Sequence, residues 1–420
     1  MTQHATEAGG RQIYIVTVIG VALGMAFGFA AIFISTNGVF IPAVVRDFHW
    51  GRAQAAESYA ASMLGLAIVS PLVGTLMDRF GVRRVVLASA FVFALALACM
   101  GLQDGHPVWW IVLSLVIGMS GAATSVLGYL AILPQWFDRR LGLAIGLAMV
   151  GLGIGTIVMP ALSQFLITGI GWRGAYQVLA GMSLMGALMA FALTKEKKGP
   201  GTTTRQHARD VNVDDASPHA GTKLLRIAVI FLSAFLASTA VLSLGPHLPA
   251  LLIDRGISAH DAARSASLVG FGILIGRLLS GILVDRVHAP IVACLFFAAG
   301  ATGFVLLKQF DSYPSALCAS VLVGLAVGAE GDLLSYMVRS YIGLKRFGLF
   351  YGIAFSGYAF GAVFGPIAVG RYFDLRHNYG LPLQVAPFLL LASGVLLLSL
   401  GSYVKPGTRV SGALKHAAAD

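Results

Sequence analysis

The chain repeats itself. Gly74, Asp78 and Arg79 return as Gly281, Asp285 and Arg286 at an offset of 207 residues, and Pro42 and Asp47 return as Pro249 and Asp254 at the same offset. Arg140, Gly142, Gly146, Gly151, Gly155 and Pro160 map onto Arg346, Gly348, Gly352, Gly357, Gly361 and Pro366 at an offset of 206. One half is a copy of the other. A body of two similar halves has a seam between them, and rocking one half on the other can open that seam to alternate sides.

The copied unit is a membrane unit. Apolar runs near 14 to 44, 54 to 77, 83 to 102, 108 to 134, 140 to 168 and 172 to 194 are each long enough to cross a hydrocarbon core, which takes about 20 helical residues. A second set lies near 224 to 253, 259 to 284, 289 to 307, 313 to 340, 347 to 373 and 381 to 404. Only 11% of residues are charged, against about 25% in a soluble domain. The runs are continuous, so they read as helices and not as the alternating strands of a barrel. The expected fold class is therefore an all-α membrane protein of twelve transmembrane helices in two pseudo-symmetric six-helix bundles. Residues 1–194 form the first bundle, 195–223 a polar cytoplasmic linker, and 224–420 the second bundle and tail. The polar lead before the first run carries Arg11 and lacks the shape of a cleavable signal.

Basic residues set the orientation. An even number of spans puts both termini on one side, and the loops of that side hold 20 Lys and Arg residues against eight on the other. The positive-inside rule makes the terminal side cytoplasmic. Topology accounts for most of the net charge of +11, and a nucleic-acid partner is not expected. Cys99, Cys294 and Cys318 lie in apolar runs and read as small hydrophobes. No Walker loop, zinc-protease motif or nucleophile elbow occurs, which argues against an ATP-driven machine and against an enzyme. No cofactor and no metal is expected. Gly151, Gly153 and Gly155 follow no strand and make a packing face instead of a dinucleotide fingerprint.

Gly74, Asp78, Arg79, Gly81 and Arg83 fall in the turn between segments 2 and 3, and Asp285 and Arg286 in its copy between segments 8 and 9. Glycine lets helix ends approach, a carboxylate suits the positive N-terminus of a neighbouring helix, and the arginines suit acids or helix C-termini. Together they are expected to latch one conformation of the terminal face. This doubled spacing resembles the signature loop of the major facilitator superfamily. Trp136, Phe137, Arg139, Arg140, Gly142, Ala144, Gly146 and Ala148 resemble the segment 4 to 5 junction of its monocarboxylate and oxalate/formate transporters, and the run from Asp47 to Arg52 is similar to bacterial members. The resemblance implies alternating-access transport of small organic acids by a protein of the bacterial inner membrane, functional as a monomer. It also implies that an arginine on the eighth helix binds the substrate carboxylate, and Arg277 holds that position.

Arg277 stands out on its own terms. It is the only charge from Ala266 to Val284, roughly 12 Å above Asp285, where an arginine costs about 2.5 to 3.5 kcal/mol on insertion scales. Its planar guanidinium suits a carboxylate through two parallel hydrogen bonds. An acid is expected nearby. Glu330 and Asp332 lie deep in segment 10; Glu330 is expected to face Arg277 and carry the proton, and Asp332 to pair with Arg339 on its own face. His247, in a segment 7 broken by Pro246 and Pro249, could titrate near neutrality, and Asn37, Tyr129, Tyr336 and Tyr358 are candidates to line the cavity. The chain departs from the animal monocarboxylate pattern, with Ser35 and Ile273 where a lysine and an aspartate are implied. It also lacks the segment 11 lysine of the oxalate/formate exchangers. One fixed cation favours a monoanion. Proton-coupled symport of a monocarboxylate is therefore expected, ahead of anion exchange, drug efflux or a non-transporting sensor.

Overall fold

The computed structural model describes residues 2–137, 140–195, 220–245, 247–309, 312–344 and 346–403. Eleven helical elements among them are long and apolar enough to cross a membrane. In chain order they are span 1 (Ile13–Phe48), span 2 (Glu57–Phe80), span 3 (Val82–Met100), span 4 (Pro107–Gln135), the element Leu141–Leu193, span 7 (Thr222–Val241), span 8 (His260–Arg286), span 9 (Ala289–Gln309), span 10 (Tyr313–Tyr341), span 11 (Phe347–Arg376) and span 12 (Gly380–Leu398). Leu141–Leu193 is too long for one crossing. Gly171 interrupts it with φ 78° and ψ 164°, a conformation open to glycine because it lacks a Cβ, and the runs on either side are spans 5 and 6. The expected polar linker falls almost wholly on residues 196–219, outside the described residues.

Three spans are less regular than unbroken apolar runs suggest. Span 1 leaves α-helical geometry after Ala26, passes through a π-helical turn at Ala30–Ile34 and resumes as Asn37–Phe48. Span 4 stops at Gly121 and restarts at Val126, and its freed Thr124 carbonyl accepts the Phe29 amide of span 1 at 3.1 Å. The two breaks satisfy each other, as backbone at membrane depth must. Span 7 ends at Val241 and resumes at Leu248–Asp254. Pro249 starts that short helix instead of breaking one, and Pro246 lies outside the described residues.

Within each half, helices meet through small residues. A Cβ built on Gly118 of span 4 would lie 1.8 Å from the Ser62 carbonyl of span 2, and one on Gly151 of span 5 would lie 2.1 Å from the Ala22 carbonyl of span 1. The obstacle is backbone in both cases, so it cannot rotate away. Gly118→Val is expected to destabilise the first bundle by at least the 1–3 kcal/mol typical of overpacking, read as a lower melting midpoint in detergent; an unchanged midpoint would mean that spans 2 and 4 are spaced more widely.

Across the seam the same device recurs. A Cβ on Gly74 of span 2 would meet the Gly348 carbonyl of span 11 at 1.9 Å, and one on Gly142 of span 5 would meet the Gly281 carbonyl of span 8 at 2.3 Å. Both contacts lie at the ends of these spans nearest the face from which span 1 starts and to which span 12 returns. The seam is closed on that terminal face.

Candidate functional site

The closure is pinned by two carboxylates. Asp78, at the end of span 2, accepts the Gly348 and Leu349 amides at 2.8 and 2.9 Å. Asp285, at the end of span 8, accepts the Gly142 and Leu143 amides at 2.9 and 3.0 Å. Each carboxylate belongs to one half and caps the first turn of a helix in the other, where amides lack intrahelical partners and the helix dipole favours negative charge. The internal repeat thus becomes a two-fold symmetric pair of bonds. Gly81 makes the turn into span 3 with φ 89°.

The arginines of the motif do other work. Arg83 was expected in the latch; it stays within the first half, donating to the Phe191 carbonyl with its guanidinium 4.1 Å from that ring, because span 6 and not the other half lies beside the start of span 3. Arg79 is exposed and lies 5.1 Å from the Phe80 ring. Arg286 is exposed in the last turn of span 8, where a cation suits the helix dipole.

Arg277 lies in the seam, not toward lipid. Its Nη1 donates to the Met149 carbonyl of span 5 in the opposite half at 3.3 Å, and a Cβ on Gly146 would meet the Arg277 carbonyl at 3.0 Å. The guanidinium Nε is buried without a hydrogen-bond partner. Glu330 and Asp332 are each 3% exposed, and none of their four carboxylate oxygens has a hydrogen-bond partner in the structure. This is an unsatisfied polar centre, the kind of intramembrane site that marks a substrate or proton pathway.

The acid turned toward Arg277 differs from the expectation. It is Asp332, not Glu330, that lies on the face of span 10 packed against span 8, with no carboxylate at ion-pair distance from the guanidinium among the described residues. The reason is the register of span 10 on span 8. Gly324 and Gly328 pack against the backbone of span 8 at Val269, Gly272, Ile273 and Arg277. Asp332 is the next residue in that i, i+4 row, so it falls on the face that meets Arg277, and Glu330 is turned off it. A small-residue row ending in an acid was the signal for this placement.

The remaining candidates separate into those at the centre and those away from it. Tyr358 of span 11 belongs to the centre, within reach of the charges of Glu330, Arg277 and Asp332 and of the Tyr59 phenol of span 2. Tyr336 lines a narrow crevice with Asp332, Gly142, Ser280 and Gly281 just inside the Asp285 latch. Tyr129 was expected to line the cavity, but it is 2% exposed and its ring lies on span 1 where a Gly24 Cβ would be, 2.2 Å from Cε1. Asn37 is likewise buried, donating to the Ser58 hydroxyl at 2.8 Å and tying span 1 to span 2. His247 meets the Pro366 carbonyl at 3.2 Å. Pro366 lies 19 residues into span 11 and Arg277 nine from the end of span 8, so the histidine sits about 15 Å further from the terminal face, too far to share a ligand with Arg277.

Two seam residues escaped the sequence reading. Tyr59 of span 2 lies close enough to Tyr358 of span 11 for the two phenols to act on one another's charge, and Tyr351 is fully buried with its hydroxyl 3.5 Å from the Val126 carbonyl of span 4. Neither occupies a motif. Their one visible mark is a hydroxyl inside an apolar run.

Comparison with known proteins places this geometry. Residues 21–366 match the family model described as Major Facilitator Superfamily. Monocarboxylate transporter 3 of Rattus norvegicus is 26% identical over 400 residues, covering 90% of this chain and 78% of the relative. Monocarboxylate transporter 13 of Bos taurus is 29% identical over 392 residues, covering 90% and 88%. Among solved structures, the proton:xylose symporter XylE superposes with a TM-score of 0.72 over 95% of this chain and 97% of that one, at 14% identity, a likeness of fold.

Proposed function

The chain belongs to the major facilitator superfamily, and from that premise we propose that it moves a small organic monocarboxylate together with a proton across the bacterial cytoplasmic membrane by alternating access. Both termini lie in the cytoplasm by the count of basic residues, and a single copy holds the whole site. The observation that carries the reading is Arg277, a cation inside the seam that donates to a backbone carbonyl of the opposite half and has Asp332 on the face of span 10 packed against its own helix. The names of the relatives, monocarboxylate transporters, support the same substrate class.

Charge balance gives the coupling. In the empty carrier Arg277 and ionised Asp332 offset one another, and Glu330 keeps its proton. The centre is then neutral and free to reorient. A monocarboxylate that takes the guanidinium with two hydrogen bonds displaces Asp332, which must then be protonated, because a surplus buried anion is disfavoured. The loaded centre is neutral again with one proton aboard. Glu330, beside Tyr358, is the second acid able to hold or pass that proton.

Uptake into proteoliposomes under an inward acid gradient tests the coupling. Asp332→Asn is expected to leave counterflow of the acid intact while abolishing acceleration by the gradient. A variant that still accelerates as the wild type does removes Asp332 from the proton path, and Glu330→Gln then tests the other acid.

A further inference from the structure

On the terminal face, the start of span 7 and the turn between spans 10 and 11 enclose a cleft of about 280 Å³ lined by Lys223, Ile342, Arg346 and Phe350. Two cations from different elements thus face one space between apolar walls. Among the described residues, neither Lys223 nor Arg346 lies within ion-pair distance of an acid, and the nearest acid whose field Arg346 meets is Asp78 of the latch. Arg226, three residues after Lys223, is engaged elsewhere: its Nη1 donates to the Tyr341 carbonyl at 3.2 Å, with the guanidinium 5.8 Å from that ring, which fixes the start of span 7 against the end of span 10. The wall carrying Lys223 is therefore held in place.

Arg346 sits in the left-handed region, φ 57° and ψ 35°. A glycine would adopt that conformation without strain, and an arginine there holds a guanidinium at the mouth of the cleft under strain of the sort found at binding sites. Outside the cleft Leu224 and Leu225 are 67% and 64% exposed, and Leu344 across the opening is 52% exposed. Cations inside and apolar side chains around the rim match a molecule that is a phosphate at one end and hydrocarbon at the other.

We propose that this cleft binds the phosphate of an anionic phospholipid. Lys223 and Arg346 clasp the phosphate oxygens, the guanidinium with paired N–H groups and the ammonium as a point charge, and the acyl chains lie along Leu224 and Leu225. Basic pockets between transmembrane helices at the membrane surface are suited to such headgroups, where each cation contributes about a factor of five in binding. The bound headgroup lies two residues from the Gly348 amide that Asp78 holds.

The test uses the full chain in nanodiscs of equal phosphatidylglycerol and phosphatidylcholine with matched acyl chains, released into mild detergent and read by native mass spectrometry. The wild type is expected to retain phosphatidylglycerol over phosphatidylcholine by about thirty-fold, two cations acting together. Lys223→Gln with Arg346→Gln should bring that ratio to near one, and Lys223→Arg with Arg346→Lys should keep most of it. Millimolar inorganic phosphate should leave the retained lipid in place; displacement of phosphatidylglycerol by it would assign the cleft to a soluble phosphate and overturn the lipid occupant. An unchanged ratio in a monodisperse, helical double glutamine variant would overturn the site. Neither readout depends on transport.

Discussion

Arg277→Ala should reduce uptake of the carboxylate to background. A bidentate bond between guanidinium and carboxylate in a low-dielectric site is worth about 2–5 kcal/mol when one partner is truncated, which is a loss of at least about thirty-fold in apparent affinity and up to some thousands-fold. Arg277→Lys keeps the charge but loses the planar pair of donors, so it should fall between wild type and alanine. A thermal-shift series with lactate-sized acids checks the same claim without a flux measurement, since a ligand that binds the folded state raises its stability in proportion to RT ln(1 + [L]/Kd). The rise expected in the wild type should vanish in Arg277→Ala. Equal stabilisation of both proteins by the same acids would end the carboxylate assignment and leave the carrier fold standing.

The second large effect belongs to the latch. In Asp78→Asn with Asp285→Asn, the four amides of Gly348, Leu349, Gly142 and Leu143 lose their charged acceptors. A hydrogen bond to a charged group contributes about 1.5–3 kcal/mol net, and an Asn oxygen can still accept one amide per site, so losing one bond at each site should shift the balance between closed and open terminal faces by about two to four orders of magnitude. Spin labels at Phe80 and Leu344, both exposed and on opposite halves, would report it as a longer distance population. A single short population in the double variant would show that glycine packing alone holds the face shut. The two single variants should be similar to each other, because the bonds they remove are copies.

How far the chain could be read from its residues depended on whether the information was local. The repeat at Asp78 and Asp285 was legible because both the acid and the helix start it caps recur at fixed spacing, so one copy explains the other. Arg277 was legible because a charge inside an apolar run is conspicuous without any neighbour. Which acid turns toward it was not, because Asp332 and Glu330 lie at nearly the same depth, and the choice is made by which face of span 10 rests on span 8. The Gly324 and Gly328 row carries that information, but only once spans 8 and 10 are known to touch. Tyr129 and Asn37 show the opposite limit. A polar side chain in a membrane helix can serve its neighbours within one bundle as readily as a cavity, and their contacts with Gly24 and Ser58 follow from packing that hydropathy does not encode. The breaks in spans 1 and 4 were marked only by Ser35, Thr36 and Asn37 and by Thr124 and Ser125, short polar groups that a membrane helix also tolerates unbroken, and the Phe29 amide and Thr124 carbonyl that satisfy one another meet only in the fold.

Where Gly74 faces Gly348 and Gly142 faces Gly281, backbone meets backbone, with the Asp78, Asp285 and Val284 side chains packed beside it. A seam in which backbone meets backbone cannot stretch. If the halves parted by less than the width of a water molecule, the amides released from Asp78 and Asp285 would have neither carboxylate nor solvent, at about 1–3 kcal/mol apiece. Half-open geometries are thereby made scarce, and the protein should behave as a snap fastener: fully shut, or wide enough to be wetted at once. Single-molecule distance traces across this face should therefore jump between two levels without dwelling between them.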